Sequence, residues 1–182
     1  MSLRLLLSLL MAYFLSSSAL PGAATAPAAD MGQFPAVQAA NLDSTQFALP
    51  QNFGGQVNLV VISFAREQQE TVDSWIPAAR QLEAAHGKFR YYELPTMSHE
   101  NIFYRWWFDA ALRSNTTDKD LRSRILTAYV NKHKFLRSMH IANDKNVVAV
   151  LIDQSGRVSW REDGAYSEQK GQALISALPK GM

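Results

Sequence analysis

The chain has 182 residues, of which 47% are hydrophobic, so it is long enough to fold as one domain with its own core. Its 18 basic and 16 acidic residues nearly cancel, which excludes a general electrostatic attraction to nucleic acid or anionic lipid. It contains no cysteine, which excludes disulfides, a thiol nucleophile, a thiol redox couple and a Cys-ligated metal.

The amino-terminal residues have the layout of a secretory signal peptide. Arg4 gives a positive start, residues 5–15 are apolar, and residues 16–30 are rich in small side chains. The apolar run is far shorter than the roughly twenty residues that cross a bilayer. We predict a signal peptide over residues 1–28, cleaved near Ala28, and an exported, periplasmic protein. An uncleaved signal that anchors the chain in the inner membrane is the alternative.

Residues 29–43 are predicted to form a flexible lead-in, and residues 44–182 a single domain of alternating strands and helices. The run at 57–64 is continuous and β-branched, which is typical of a strand covered on both faces. Pro77 should kink or restart the helix in which it lies. The predicted elements in chain order are an edge strand at 47–50, a strand at 57–64, a helix at 67–86, a strand at 89–94 ended by Pro95, helices at 99–114, 117–130 and 132–139, strands at 146–152 and 157–160 joined by a turn, and a helix at 167–178.

This order predicts a thioredoxin-like α/β fold, a three-layer sandwich with a helical insert before a carboxyl-terminal hairpin and helix. We expect a mixed sheet of about four to five strands between the helix layers. The right-handed crossover rule places the strands that begin at Val57 and Phe89 side by side and parallel.

Three stretches resemble the ATP-ten family of mitochondrial ATP synthase assembly factors, which are thioredoxin-like proteins without reactive cysteines. The most specific is VVAVLIDQSGRVSWREDGAYSEQKGQALISAL, with an apolar strand, an Asp-Gln-x-Gly turn, a basic residue and Trp, then Gly and a helix. FLRSMHIAND and VDSWIPAARQLE are also similar to segments of that family. The resemblance implies a non-catalytic protein that binds another polypeptide, as an assembly factor or chaperone for a membrane complex such as ATP synthase.

The stretch SFAREQQE forms the predicted turn from the first core strand into a helix, where thioredoxins carry reactive cysteines. Here the turn offers Arg66, Gln68 and Gln69, which form hydrogen bonds but have no redox chemistry. One interpretation is a polar lip that docks a peptide. The other is a solvated helix start, in which Glu67 and Glu70 suit the positive end of the helix dipole.

The stretch HENIFYRWWFDAALR is apolar over more of its circumference than a surface helix needs. Aromatic side chains beside arginine are typical of protein interfaces, so Tyr104, Arg105, Trp106 and Phe108 are candidate partner-binding residues. Packing within the domain is the alternative for these side chains.

A run of basic residues follows, and it includes the candidate binding residues Arg122 and Lys134. A solvated helix face is one interpretation. The other is contact with anionic lipid headgroups or with an acidic segment of a partner, which would suit a protein that assists membrane subunits.

No catalytic residue, cofactor or metal is predicted. His133 and His140 are two helical turns apart, but a pair without a third ligand is a weak metal signal. Two alternatives to the protein-binding hypothesis are a peroxidase or oxidoreductase relative that uses no cysteine, and a carrier of a small ligand or metal. The identity of the partner and the oligomeric state stay open.

Overall fold

A computed structural model of the protein describes residues 31–98 and 118–181. The strands are β1 (Val37–Asn41), β2 (Gln46–Leu49), β3 (Val57–Ser63), β4 (Phe89–Ser98), β5 (Leu126–Val130), β6 (Val148–Asp153) and β7 (Val158–Asp163). The helices are a 3₁₀ turn (Arg66–Gln68), α1 (Gln69–Asp73), α2 (Ile76–Ala85), α3 (Lys119–Arg124), α4 (Lys132–Ser138) and α5 (Glu168–Ala177). The predicted signal peptide and the predicted helix at 99–114 lie outside the described residues.

The strands form one seven-stranded mixed sheet in the order β2-β1-β5-β4-β3-β6-β7. Every residue of β3 is buried, as the continuous apolar run predicts. β3 pairs in parallel with β4, with Val57 beside Phe89, which confirms the predicted neighbours. Within the described residues, no helix has the length and apolar character needed to span a membrane.

Side chains on the two faces of the sheet build two cores. On one face, Val61 of β3 packs with residues of α1, α2 and α5, including Leu174. On the other face, Ile62 packs with Phe135 of α4 and with residues 31–34 ahead of the sheet, including Phe34. This alternation follows from the period of two along a strand. It gives the three layers that the sequence predicts.

The predicted helix at 67–86 is present, but it is interrupted at Ser74 and Trp75, where α1 ends and α2 begins. Pro77 lies in the first turn of α2, where its missing N–H would have no helical partner in any case. The predicted restart is therefore confirmed. The side chains of Asn131 and Ser167 cap the last two helices, because they accept hydrogen bonds from backbone N–H groups of α4 and α5.

Residues of the stretch VDSWIPAARQLE pack against residues of the carboxyl-terminal stretch VVAVLIDQSGRVSWREDGAYSEQKGQALISAL. Trp75 is fully buried, and its Nε1 donates to the carbonyl of Gly164 at 3.0 Å. Its ring lies edge-on to Trp160 and Tyr166, with ring centroids 6.0 and 5.4 Å away. A Cβ at Gly171 would stand 2.4 Å from the Tyr166 hydroxyl, so only glycine fits there without a shift. These motif residues serve the packing of α1, α2, α5 and the hairpin.

The Asp153-Gln-Ser-Gly156 turn of the β6–β7 hairpin is confirmed. Asp153 Oδ1 accepts from the backbone N–H of Ser155 at 2.9 Å and of Arg157 at 3.1 Å. Gly156 has a φ of 85°, a conformation that glycine adopts at no steric cost. Asp153 is therefore a structural residue of the turn.

The sheet has more strands than predicted because two of them fall in stretches assigned to other structures. The predicted flexible lead-in at 29–43 contains β1, which pairs with both β2 and β5. The predicted helix at 117–130 is instead the short helix α3 followed by the strand β5. Residues 125–130 are a short apolar run, which is compatible with a helix or a strand until tertiary pairing decides between them.

The second core strand also differs from its prediction, because β4 continues through Pro95 to Ser98. Pro95 lies opposite Ser63 at the end of the pairing with β3, and the pairing with β5 begins at Thr96. Proline therefore stands where the strand changes neighbours, so its missing N–H removes little from either ladder.

Candidate functional site

The first candidate site is the turn from β3 into α1, residues 63–73, which we call the elbow. Gln68 holds it together with both ends of its side-chain amide. Its Oε1 accepts from the backbone N–H of Phe64 at 2.7 Å, and its Nε2 donates to the backbone carbonyl of Asp144 at 3.0 Å. This residue closes the turn and ties it to the loop before β6. Its polar atoms are therefore used inside the fold.

Gln69 connects the elbow to a carboxylate beneath it. Its Nε2 donates to Asp73 Oδ1 at 2.9 Å and to Glu93 Oε2 at 3.4 Å. Glu93 lies on β4 beside Val61, on the face that α1 and α2 cover, and is only 4% exposed. The elbow is thus a hydrogen-bonded network of amides and carboxylates.

Burial raises the pKa of Glu93 to about 7, because the ionised form loses its hydration there. The hydrogen bond from Gln69 and the charge of Arg80 lower this pKa, while the charge of Asp73 raises it. Near neutral pH, protonated and ionised forms of Glu93 are both populated. This arrangement can hold or release a proton, but it contains no nucleophile of the thiol class.

The sequence analysis missed Glu93. The available signal was an acidic residue among the aromatic and apolar residues of FRYYEL, in the strand predicted to lie beside the strand at 57–64. A carboxylate in such a strand needs a partner or a raised pKa. Its partner, Gln69, could not be identified from the sequence because the contact depends on where α1 lies over the sheet.

Asp144 links the elbow to α4. Its carbonyl accepts from Gln68, and its carboxylate pairs with Lys132 Nζ at 2.9 Å. The hydrogen bond from Lys132 holds the pKa of Asp144 below its usual value. One residue therefore connects the elbow network on one face of the sheet with the basic helix on the other.

Two arginines of the basic run predicted as a contact surface are neutralised within the fold. Arg122 pairs with Asp43 at 2.7 Å and donates to the carbonyl of Leu42 at 3.1 Å. Arg124 pairs with Glu83 and Asp120, at 2.7 and 2.9 Å, and lies over the ring of Tyr91. These arginines dock α3 onto neighbouring elements. They are poor candidates for a free lipid- or partner-binding surface.

The second candidate site is an open cleft of about 390 Å³, which we call the α4 cleft. It lies at the carboxyl end of β5, between α4 and the chain that enters β1. Its lining residues are Pro35, Ala36, Val37, Gln38, Tyr129, Val130, Asn131, Lys134, Phe135 and Ser138. The lining is mainly apolar, and Lys134 is its cation. A cleft of this size falls within the range of ligand pockets.

The structure separates the residues that the sequence predicts as a partner site. Arg66, Gln68 and Gln69 are together at the elbow. Lys134 lines the α4 cleft, and Arg122 lies on α3 ahead of the amino end of β5. The four remaining candidates, Tyr104, Arg105, Trp106 and Phe108, lie outside the described residues. Within those residues, no group of three or more His, Asp or Glu side chains is placed to hold a metal ion.

Comparison with known proteins establishes the fold. No model of a known protein family matches the chain, and no curated protein sequence matches it. Among solved structures, it is similar to BsSco, a member of the Sco family of cytochrome c oxidase assembly proteins (TM-score 0.53, 12% identity, 80% of this chain and 93% of that one). It is also similar to the exposed lipoprotein thioredoxin of Streptococcus pneumoniae strain TIGR4 (0.52, 12%, 79% and 100%). A third is a thiol:disulfide interchange protein from Bacteroides sp. (0.51, 13%, 81% and 89%).

These likenesses confirm a thioredoxin-like α/β fold with a mixed sheet and helices on both faces. Two of the three similar proteins are named for thiol chemistry or as a thioredoxin, and BsSco has a disulfide switch. The present chain has the fold without a single cysteine. Dithiol–disulfide exchange by its own side chains is therefore excluded.

Proposed function

We propose that this chain is a non-catalytic thioredoxin-like protein that binds another polypeptide, as an assembly factor or chaperone for a membrane complex such as ATP synthase. The observation that carries the proposal is the elbow. Gln68 closes this turn and ties it to the loop before β6, yet the chain has no cysteine to react there. A thioredoxin-like scaffold without thiol chemistry suits a protein that works by contact, through the elbow or through another part of its surface.

Two further observations support an assembly role. The stretches VDSWIPAARQLE and VVAVLIDQSGRVSW resemble segments of the ATP-ten assembly factors. One structural neighbour, BsSco, belongs by name to a family of assembly proteins for cytochrome c oxidase. Both point to the class of function, while the identity of the client rests on the sequence resemblance.

We propose in addition that the protein is exported through the signal peptide at residues 1–28. The pneumococcal neighbour, which is described as an exposed lipoprotein, supports a location outside the cytoplasm. Peripheral contact with a membrane through the basic helices is the less favoured mode. Membrane-binding clusters generally need about four to eight free cations, whereas Arg122, Arg124 and Lys132 are paired within the fold.

In-cell photo-crosslinking tests the proposal. A photo-reactive amino acid is placed at Glu67 on the elbow, at Trp106 in the aromatic stretch, or at Lys134 in the α4 cleft. Glu67 and Lys134 are exposed, so the replacement preserves the fold. Lys88 is the matched control, because it is exposed just before β4, at the opposite edge of the sheet.

A dominant adduct with one membrane-complex subunit from at least one test position, and none from Lys88, is the expected result. Adducts of equal strength from all four positions, or none above background, would refute the proposal. Fractionation of cells with and without residues 1–28 tests export separately. The protein should leave the cytoplasm only when those residues are present.

A further inference from the structure

The α4 cleft has an apolar interior, and its inner wall is held by packing within the core. Phe135 is 2% exposed and packs edge-on to Phe34, with ring centroids 5.8 Å apart, so the core is closed behind the cleft. On the opposite wall, Ala36 and Gln38 are exposed. The cleft is therefore a preformed hollow in contact with solvent and not a gap in the core. Apolar surface in that position is stabilised when a partner covers it.

The charge around the cleft has one sign. α4 has no acidic residue in its first turn, and it carries Lys132, Lys134 and Arg137. Lys132 is neutralised by Asp144 at 2.9 Å. Within the described part of the chain, the side chains of Lys134 and Arg137 make no hydrogen bond or ion pair, and both residues are exposed.

The difference between paired and unpaired cations indicates which kind of ligand the cleft would bind. Among the other cations of the run, Arg122 is paired with Asp43 and Arg124 with Glu83, whereas Lys119 is exposed on α3 and does not line the cleft. In the part of the chain that the structure describes, Lys134 and Arg137 are the cations of the run that combine the lack of an internal partner with a place on α4, the helix that lines the apolar hollow. A complementary ligand therefore has an apolar group next to a carboxylate.

The openness of the cleft favours a macromolecular ligand over a small one. Pockets for small ligands usually enclose 70–90% or so of the ligand surface, whereas the outer wall of this cleft is exposed. For a side chain that belongs to a larger partner this exposure matters less, because the partner itself covers the rim of the cleft. Two free cations are also fewer than the roughly four to eight of a membrane-binding cluster.

We propose that the α4 cleft binds a segment of a partner polypeptide in which an apolar side chain is flanked by acidic residues. The apolar side chain enters the hollow between Val37 and Phe135, and a neighbouring carboxylate pairs with Lys134. Arg137 adds attraction at the rim. The proposal rests on the proposed function, because it names the chemistry of the partner that a binding protein of this fold would recognise at this place.

The inference is tested by the fluorescence anisotropy of labelled peptides, titrated with the protein purified from cells that express the full chain. The probes are three fluorescein-labelled peptides: Gly-Ser-Asp-Phe-Asp-Ser-Gly, the same peptide with both Asp replaced by Lys, and the same peptide with Phe replaced by Ser. The test variants are Lys134→Glu, which reverses the charge, and Ala36→Trp, which fills the cleft from its exposed wall. Lys88→Glu is the control for net charge, and thermal unfolding verifies that each variant is folded.

We expect only the Asp-Phe-Asp peptide to bind, and each test variant to weaken it about tenfold while Lys88→Glu changes it less than about twofold. Equal binding of all three peptides, equal affinity of Lys134→Glu and wild type, or no binding at all would overturn the inference. A small molecule retained stoichiometrically in native mass spectrometry and lost in Ala36→Trp would overturn it in favour of a ligand carrier. Failure here, with adducts still formed in cells from Glu67 or Trp106, leaves the proposed function standing. Peptide binding without any cellular adduct would support the α4 cleft as a peptide site and would contradict the proposed function.

Discussion

The elbow and the α4 cleft lie at the same carboxyl-terminal edge of the central strands, but their polar groups are satisfied differently. At the elbow, Gln68 and Gln69 use their amides on Phe64, Asp144 and Glu93. At the cleft, the described structure offers no internal partner to the ammonium group of Lys134. The polar turn is therefore mainly a device of the fold, and the cleft is where an external partner has something left to bind.

This difference separates two kinds of evidence for a site. A position at which relatives carry reactive groups attracts attention, but hydrogen bonds that are complete within the chain leave little to offer a ligand. An unpaired cation beside exposed apolar surface leaves both a charge and an area to be covered. Substitutions at the elbow and at the α4 cleft test this difference.

The largest effect is expected from the packing behind the elbow. Trp75→Ala should lower the free energy of unfolding by about 3–5 kcal/mol, because it removes a fully buried ring that touches Trp160 and Tyr166. Chemical denaturation measures the loss. Peptide binding at the α4 cleft should persist under native conditions, since the ring lies on the other face of the sheet.

Ile175→Ala is the matched control, because Ile175 lies on α5 and is 48% exposed. It should change stability by less than about 0.5 kcal/mol. A similar small loss for Trp75→Ala would show that the aromatic cluster is not a core. A loss of peptide binding in a folded Trp75→Ala protein would show that the two faces are coupled.

The next effect is a dependence of stability on pH through Glu93. Its folded pKa is about 7 against an ordinary 4.5, so the folded state binds the proton more tightly than the unfolded state. The stabilisation is fully present below pH 4.5 and is lost as pH rises through 7. The free energy of unfolding should fall by up to about 3 kcal/mol between pH 5 and 8.

Glu93→Gln should remove this fall, because the amide stays neutral across the window. Denaturant titrations at intervals from pH 5 to 8 give the profile. The exposed elbow residue Glu70 provides the control, and Glu70→Gln should keep the profile of the wild type. A stability that is constant with pH in the wild type, or that rises with pH, would contradict the burial argument.

A smaller loss is expected when the elbow network is cut. Gln68→Ala leaves the N–H of Phe64 and the carbonyl of Asp144 without their partner, which should cost about 1–3 kcal/mol. Hydrogen exchange of the Phe64 amide should become faster. Gln81→Ala removes an exposed amide from α2 and should have almost no effect. Equal effects of the two substitutions would mean that the Gln68 bonds contribute nothing.

The sequence predicted the fold well wherever one local signal was sufficient. The run at 57–64, the restart of the helix at Pro77 and the Asp153–Gly156 turn each depend on chemistry within a few residues. β1 and β5 were missed because a short strand is defined by its neighbours, and the neighbours of β1 come from residues 46–49 and 126–128. β4 was cut short at Pro95 for the same reason, since the change of pairing partner is invisible in the sequence.

The candidate sites were less predictable than the fold. The sequence pointed to the elbow, but it could not show that Gln68 reaches a residue 76 positions away. It also pointed to the basic run, but the carboxylates that neutralise it come from distant positions such as Asp43 and Glu83. The α4 cleft has no sequence signature, because its walls come from β1, β5 and α4. Lys134 was named as a basic residue, and only the fold shows which cations stay unpaired.

The smallest effect tests the link between the two regions. Asp144→Asn should keep the Gln68 bond, which goes to the main-chain carbonyl, while Lys132 loses its carboxylate partner. Because this pair is partly exposed, stability should change by at most about 1 kcal/mol. The added positive charge beside the α4 cleft should tighten binding of the Asp-Phe-Asp peptide about two- to threefold at low salt, and the gain should vanish near 0.5 M salt or so.

Asp43→Asn is the matched control. It also removes one negative charge, but Asp43 is the partner of Arg122, which lies on α3 and not on α4. It changes the net charge equally but should leave the peptide affinity as in the wild type. If both substitutions tighten binding to the same degree, the peptide senses the net charge of the protein and not the rim of the cleft. If only Asp144→Asn does so, Asp144 both fixes the elbow through its backbone and limits the charge of the cleft through its side chain.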